Sequence, residues 1–196
     1  GKVVLFGGPH FRGTSTLEEA APHCDVIATS MCEAQMCDVL GSIADGRLAP
    51  NRAQPLYIVD RANHFRYPDN FYQALQSRRW YQIPTIPTSI GCPYDCSFCA
   101  AYMQGKYLLR DVDTIYNEMA HSPGPIALIC DATFGLKKQF TLDLMQRLAP
   151  LKKKIGVETT LARLQDTQVL EAMAAGGVTW LVVGIETVAA KLRKHG

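Results

Sequence analysis

The sequence has no long hydrophobic run and no large excess of either charge, and its first residues do not have the pattern of a signal peptide. No apolar stretch approaches the roughly 20 residues that a transmembrane helix needs, and the apolar run at residues 3–6 is too short for a signal peptide. Lys and Arg number 20 against 18 Asp and Glu, so the chain offers no clustered positive charge for phosphates. These absences argue against a membrane protein and against a nucleic-acid platform.

The cysteines also lack the arrangement of a disulfide framework. There are seven of them, an odd number, in a chain of 196 residues. A chain of this length can bury a proper core without disulfides, and 47% apolar against 19% charged residues is an ordinary globular composition. We therefore expect a reducing, cytoplasmic setting, where clustered cysteines indicate metal or redox sites.

The first part of the chain, residues 1–46, alternates strand and helix patterns. Its predicted elements are strands at 2–6 and 25–29 and helices at 15–21 and 33–45. Residues 47–84 then hold several prolines and polar side chains, which predicts a linker with one helix at about 70–78. This first part is the end of a parallel α/β unit.

A second alternation runs through residues 85–196. Its predicted strands are at 85–89, 125–130, 154–161 and 179–185, and Asp111 and Asp166 are predicted to cap the helices that follow them. The last of these strands is almost entirely apolar, which predicts burial on both faces. Four β-α units are too few to close a (β/α) barrel, and the first part begins mid-pattern. We expect an α/β fold with a partial barrel, cut from a longer protein at both ends.

Three cysteines crowd the loop "GCPYDCSFCA", residues 91–100, as Cys92, Cys96 and Cys99. A structural zinc site normally takes four ligands in two separated pairs, and a disulfide would leave one of the three unpaired. Iron–sulfur clusters are held by closely spaced thiolates. Three thiolates on a four-iron cluster leave one iron open, and an open metal site can bind and activate a ligand.

This loop resembles the signature of the radical S-adenosylmethionine (radical SAM) enzymes. The resemblance implies a [4Fe–4S] cluster held by Cys92, Cys96 and Cys99, with S-adenosylmethionine on the fourth iron and Phe98 near its adenine. In that family, one electron cleaves the sulfonium to a 5′-deoxyadenosyl radical, which abstracts a hydrogen atom from the substrate. The electron comes from an external donor of the flavodoxin or ferredoxin type.

Further candidates follow the other strands, because functional groups of α/β barrels lie at the carboxyl ends of strands. The segment "CDATFG" resembles the family's segment that binds the methionyl amino group, which implies a contact from Asp131. The segment "VVGIET" resembles a segment that contacts S-adenosylmethionine, which implies roles for Gly184 and Glu186. The alternative interpretation of Asp131 is a helix cap, and that of Glu186 is a helix cap or a solvated end. Arg163, after the third strand, is either a carboxylate clamp or an ordinary surface residue.

The glycine-rich start "VVLFGGPHFRG" has neither a P-loop lysine nor a dinucleotide fingerprint. It resembles the end of the cobalamin-binding domains that precede many radical SAM barrels, which implies Gly7, Gly8 and His10 beside cobalamin. Paired glycines let a backbone pass close to a cofactor, although a plain strand-to-helix turn explains them as well. The domain arrangement so implied is residues 1–46 for the end of a Rossmann-like cobalamin domain, 47–84 for the linker and 85–196 for the start of the barrel.

The function implied by the resemblance is that of a cobalamin-dependent radical SAM enzyme acting on a small molecule. Methyl transfer to unreactive carbon or phosphorus, or a cyclisation, are the reactions expected. Two alternatives stay open at this point. One is a cobalamin-independent enzyme such as a methylthiotransferase, and the other is a non-catalytic zinc-binding α/β module.

Overall fold

The structure is a computed structural model. It describes residues 1–8, 14–29, 33–58, 83–94, 96, 98, 99 and 107–185. The chain divides into two compact units, Gly1–Arg66 and Tyr67–Gly196, called here the N-terminal unit and the C-terminal unit. The division falls inside the segment predicted as a linker.

The N-terminal unit is a three-stranded parallel sheet with two helices. Its elements are β1 (Leu5–Gly7), α1 (Thr14–Ala20), β2 (Val26–Ala28), α2 (Glu33–Ala44) and β3 (Leu56–Ile58). The strand order is β1-β2-β3. The predicted β-α-β-α order is confirmed, and β3 is a strand where the sequence predicted a linker.

Strand β2 is buried along its whole length because a small apolar cluster covers each face of the sheet. Successive side chains of a strand point to opposite faces. Val26 and Ala28 accordingly pack with Val39 of α2, and Ile27 packs with Ala20 of α1. Such a doubly covered strand reads as a continuous apolar run, as "VIA" does.

The C-terminal unit contains a four-stranded parallel sheet in the order β4-β7-β8-β9 and a two-stranded antiparallel ribbon, β5-β6. The sheet strands are β4 (Thr85–Ile86), β7 (Ile126–Ile129), β8 (Lys154–Thr160) and β9 (Val178–Gly184), and the ribbon strands are β5 (Ser89–Ile90) and β6 (Leu108–Leu109). The helices are α3 (Val112–His121), α4 (Lys138–Leu148), α5 (Leu161–Leu164) and α6 (Thr167–Ala175). The predicted α/β class and strand order are confirmed.

The core of this unit lies between the sheet and helices α3, α4 and α6. Buried residues from both layers form one cluster: Ile86, Ile115, Met119, Ala127, Ile129, Phe134, Leu144, Met145, Leu148, Ile155, Val157, Val169 and Met173. Each fully buried aliphatic side chain of this kind stabilises the fold by about 1.5–3 kcal/mol. The sheet is therefore anchored on the face that the helices cover.

Strand β9 is more exposed than its sequence predicted. Trp180, Leu181 and Val182 are 47%, 40% and 63% exposed. In the part of the chain that the structure describes, β9 is the edge strand of the sheet, paired only with β8. An edge position lacks the second neighbour and the covering layer of a central strand, so the prediction of burial on both faces is wrong for these residues.

Two of the helices begin as predicted from their capping residues. The Asp111 carboxylate accepts a hydrogen bond from Thr114 N at 2.8 Å, and the Asp166 carboxylate accepts from Gln168 N and Val169 N. Each cap satisfies a backbone N–H that the first helical turn leaves unpaired. The helix predicted at 70–78 lies outside the described residues.

Candidate metal centre

The candidate site is built at the carboxyl ends of β4 and β7, which are neighbours in the sheet. Because the two strands are parallel, the residues that follow them meet at the same edge. Thr88 and Ser89 follow β4, and Asp131 follows β7. Thr88 and Ser89 lie just before the loop that carries the three cysteines.

The cysteine loop connects the two strands of the β5-β6 ribbon. Ser89 and Ile90 pair with Leu109 and Leu108, and Gly91 then turns the chain with a φ of 75°. A side chain at such a φ is strained, so glycine suits the position immediately before Cys92. The loop thus leaves a fixed ribbon through a turn that favours glycine.

The three cysteines of the loop are half-buried. Cys99 N donates to Cys96 O at 2.9 Å, which closes a tight turn between the last two. Phe98, inside that turn, is 56% exposed. Across the described ranges, no group of three or more His, Cys, Asp or Glu side chains is placed to hold a metal ion.

Asp131 is 5% exposed and binds the segment that leads into the cysteine loop. Its Oδ1 accepts from Thr88 N at 2.6 Å and from Ser89 N at 2.9 Å, and its Oδ2 accepts from Thr88 Oγ1 at 2.5 Å. Burial raises the pKa of this carboxyl, and the hydrogen bonds from Thr88 and Ser89 oppose the rise. Helix α4 begins seven residues later, at Lys138, so the reading of Asp131 as a helix cap is wrong.

A buried ion pair lies on the other side of the same segment. Arg110 donates from Nη1 to Pro87 O at 2.6 Å and to Glu118 Oε2 at 2.9 Å, and from Nη2 to Glu118 Oε1 at 2.5 Å. The side chains of Arg110 and Glu118 are only 4% and 10% exposed. The backbone N of Arg110 also donates to Thr88 O at 3.0 Å. Bidentate pairing of this kind fixes the guanidinium in one orientation.

Tyr107 is a further side chain beside the loop. Burial raises the pKa of its phenol, Ser89 opposes the rise, and Asp131 and Cys92 raise the pKa further. Sequence reasoning missed Tyr107, together with Thr88, Arg110 and Glu118, because no local motif marks them.

The other predicted site residues are placed as follows. Gly184 ends β9 and is half-buried, and Arg163 lies in α5 after β8, also half-buried. Gly7 ends β1 and Gly8 follows it, both exposed, and Gly8 has a φ of 106°. Glu186 and His10 lie outside the described residues, so their predicted roles stay predictions.

The chain belongs to the radical SAM superfamily. Residues 86–196, which include the cysteine loop, Asp131 and the whole four-stranded sheet apart from Thr85, match the superfamily. The family resemblance on which the site was predicted is thereby confirmed.

Two curated relatives are similar to nearly the whole chain. Bacteriochlorophyllide d C-12(1)-methyltransferase of Chlorobaculum tepidum is 25% identical over 96% of this chain and 42% of its own length. Hopanoid C-2 methylase of Rhodopseudomonas palustris is 25% identical over 94% of this chain and 36% of its own length. The chain thus spans less than half the length of these relatives.

Two solved structures share the fold. Both are of the radical S-adenosylmethionine methyltransferase TsrM from Kitasatospora setae. One, with tryptophan substrate and a SAM analogue, has a TM-score of 0.67 at 17% identity and covers 97% of this chain and 42% of that one. The other, with cobalamin and a [4Fe–4S] cluster, has a TM-score of 0.66 at 16% identity over 97% and 43%.

None of the helices that the structure describes is both long enough and apolar enough to cross a membrane.

Proposed function

We propose that the chain is the part of a radical SAM methyltransferase that binds a [4Fe–4S] cluster through Cys92, Cys96 and Cys99. The observation that carries the proposal is the placement of these cysteines. They are half-exposed thiols on one loop, and that loop follows the carboxyl end of the first sheet strand within the residues that match the superfamily.

The donor set fits this cluster. Thiolates are the ligands of iron–sulfur clusters, and the three thiols lie on a single loop beside a tight turn. A four-iron cluster takes each thiolate on a separate iron atom, so its ligands need not converge as those of one ion do. When bound, the cluster supplies the electron that cleaves S-adenosylmethionine to a 5′-deoxyadenosyl radical.

The residues of this chain position the cofactors and the substrate. Phe98 is exposed on the loop and can offer an aromatic face to adenine. Gly184 ends the last described strand at the same edge of the sheet. Glu186 follows it along the chain and is proposed, from the family resemblance, to contact S-adenosylmethionine. The substrate is a small molecule, and an external flavodoxin or ferredoxin supplies the electron.

Anaerobic reconstitution tests the cluster directly. The wild-type chain should bind about four iron and four sulfide per chain and, with a reductant, convert S-adenosylmethionine to 5′-deoxyadenosine. Cys96→Ala should lose both properties, whereas Cys37→Ala, which removes an exposed thiol of α2, should keep them. Stoichiometric zinc binding without iron would contradict the proposal, and iron for two clusters would favour a methylthiotransferase.

We propose further that the N-terminal unit binds cobalamin and that methylcobalamin supplies the transferred methyl group. The curated relatives are named as methyltransferases or methylases, and one structural neighbour holds cobalamin and a [4Fe–4S] cluster. Gly7 and Gly8 are exposed at the carboxyl end of β1, the edge at which open α/β sheets bind ligands. A Cβ built on Gly8 would meet nothing within 4 Å, so the backbone there is open to a bulky cofactor.

Titration with hydroxocobalamin tests this second proposal. Gly8→Val should weaken binding, because the side chain would stand between the backbone and the cofactor. Gly46→Val is the matched control, since Gly46 is also exposed, has a φ of 70° and has nothing near its Cβ position, but lies in the turn after α2. Equal loss in both variants, or no binding by the wild type, would contradict the proposal.

A further inference from the structure

The segment Pro87–Ser89 is held by buried side chains on both of its polar sides. The carbonyl oxygens of Pro87 and Thr88 accept hydrogen bonds from the Arg110 guanidinium and the Arg110 backbone N. The N–H groups of Thr88 and Ser89 donate to the Asp131 carboxylate. The guanidinium cation thus binds the Pro87 carbonyl, and the carboxylate anion binds two N–H groups, which is the pairing that charge-assisted hydrogen bonds favour.

The residues of this arrangement are shielded from water. Thr88 is fully buried, and Ser89, Asp131 and Arg110 are 5%, 5% and 8% exposed. Removing charges from water is unfavourable unless hydrogen bonds compensate, and here the partners are the backbone of one short segment, the Thr88 hydroxyl and the Glu118 carboxylate. The arrangement therefore fixes where that segment runs.

The segment determines where the cysteine loop begins. Only Ile90 and Gly91 separate Ser89 from Cys92, so a shift of Ser89 passes directly to the first thiol. Asp131 contributes through contacts 42 and 43 residues away in sequence, which no local turn can replace. Side chains whose hydrogen-bond partners are distant in sequence hold a loop of a functional site in one conformation.

We propose that Asp131 is a positioning residue for the cluster loop and not a ligand of the methionyl amino group. Together with the Arg110–Glu118 pair it forms a clamp on Pro87–Ser89 that sets the position of Cys92. The inference rests on the proposed cluster function. It replaces the contact that the family resemblance implied for Asp131, since three donors already occupy that buried carboxylate.

Two substitutions of Asp131 distinguish a positioning residue from a ligand of the methionyl amino group. Asparagine keeps an oxygen for the Thr88 and Ser89 N–H groups, and its amide can donate to the Thr88 hydroxyl, so Asp131→Asn should retain the clamp. Asp131→Ala should lose it. A ligand of the ammonium group needs the negative charge, so both variants would then weaken S-adenosylmethionine binding.

Amide hydrogen exchange tests whether the clamp protects Thr88 and Ser89 when no cluster is bound. In the apo chain, Asp131→Ala should accelerate exchange of the Thr88 and Ser89 amides on the order of tenfold or more, and Asp131→Asn should stay near wild type. Thr88→Val should lie between them because it removes one hydroxyl contact. Thr141→Val is the matched control, since that buried threonine donates to Lys137 O within α4. Unchanged exchange in Asp131→Ala would overturn the proposal.

Cluster assembly then measures the consequence. After reconstitution, Asp131→Ala and Thr88→Val should lose iron to a chelator faster than wild type and alter the electron paramagnetic resonance signal of the reduced cluster without S-adenosylmethionine. Asp131→Asn should match wild type. Wild-type cluster stability in both Asp131 variants, with weakened S-adenosylmethionine binding, would show that Asp131 is a ligand instead. If the wild type assembles no cluster, the proposed function fails, while hydrogen exchange still decides the clamp.

Discussion

The two units each contain a buried aspartate next to a parallel strand, and the two aspartates differ in what they hold. Asp25 precedes β2 in the N-terminal unit and is 4% exposed; Asp131 follows β7 in the C-terminal unit and is 5% exposed. Asp25 Oδ2 accepts one hydrogen bond, from Val4 N at 2.7 Å, and its Oδ1 accepts none from the residues that the structure describes. Asp131 accepts three.

The two aspartates lie at opposite ends of their strands. Asp25 stands at the amino end, where it joins two neighbouring strands of the sheet. Asp131 stands at the carboxyl end, where α/β proteins place their sites, and it binds Thr88 and Ser89, which lead into the cysteine loop. Asp25 and Asp131 are therefore equally buried but have different roles. Substitutions of the two residues should have different effects.

The largest effect is expected where a buried ion pair is broken. Glu118→Ala removes the carboxylate that accepts from both Nη atoms of the buried Arg110 guanidinium, which should lower the free energy of unfolding by about 3–5 kcal/mol. Urea unfolding measures the loss. Replacing both residues, with Arg110→Met and Glu118→Leu, should cost less than Glu118→Ala alone. A loss no larger than that in Glu171→Ala, an exposed residue of α6, would contradict this prediction.

The direct comparison of the two aspartates comes next. Asp131→Ala leaves three buried donors without their acceptor and should cost about 3 kcal/mol, because each hydrogen bond to a charged group contributes appreciably. Chemical unfolding followed through the C-terminal unit measures this. If Asp131→Ala lowered the free energy of unfolding by less than Asp25→Ala does, the comparison would be reversed. The stability argument for the clamp would then fail.

Asp25→Ala is expected to cost less. It leaves one buried N–H, that of Val4, without its acceptor, and the expected loss is about 1–2 kcal/mol. Unfolding followed through the N-terminal unit checks it, with Asp25→Asn as the control that keeps an acceptor oxygen. Cluster content after reconstitution should be unchanged in Asp25→Ala, in contrast to Asp131→Ala.

The smallest effect belongs to an aspartate at the surface. Asp111 caps α3 and is exposed, and Asp111→Ala should cost about 1 kcal/mol. The Thr114 N–H lowers the pKa of Asp111. The cap therefore contributes fully above the unfolded pKa of about 3.9, and the contribution falls as pH drops through the lower folded pKa.

Unfolding measured at neutral pH and in acid checks this pH dependence. Asp111→Asn caps without titrating at this position, so the stability difference between wild type and Asp111→Asn should vary only in the acid range. A difference that changes between pH 6 and 8 would contradict the assignment.

These aspartates also show how far the sequence predicts the structure. The caps formed by Asp111 and Asp166 were predictable because each binds N–H groups two or three residues away. The contacts of Asp131 cross more than 40 residues, and only the pairing of β4 with β7 brings them together. Its sequence context gave a family resemblance, not the identity of its partners.

The strands follow the same rule. The three longer strands of the four-stranded sheet, β7, β8 and β9, were predicted closely because they are mostly apolar runs between turn residues. Strand β3, three residues long beside Pro55, was missed, and so was the β5-β6 ribbon, whose strands have two residues each. Segments this short carry too little periodicity to be read, and tertiary pairing decides them.

Strand β9 carries a tryptophan, Trp180, that can serve as a fluorescence probe. Trp180 is one of only two tryptophans and is 47% exposed on β9, so its indole should emit as a half-solvated chromophore. Replacing the other tryptophan, Trp80→Phe, would leave a single emitter on that strand. Any segment or molecule that covers the strand would then shift the Trp180 emission to the blue, even when its identity is not known.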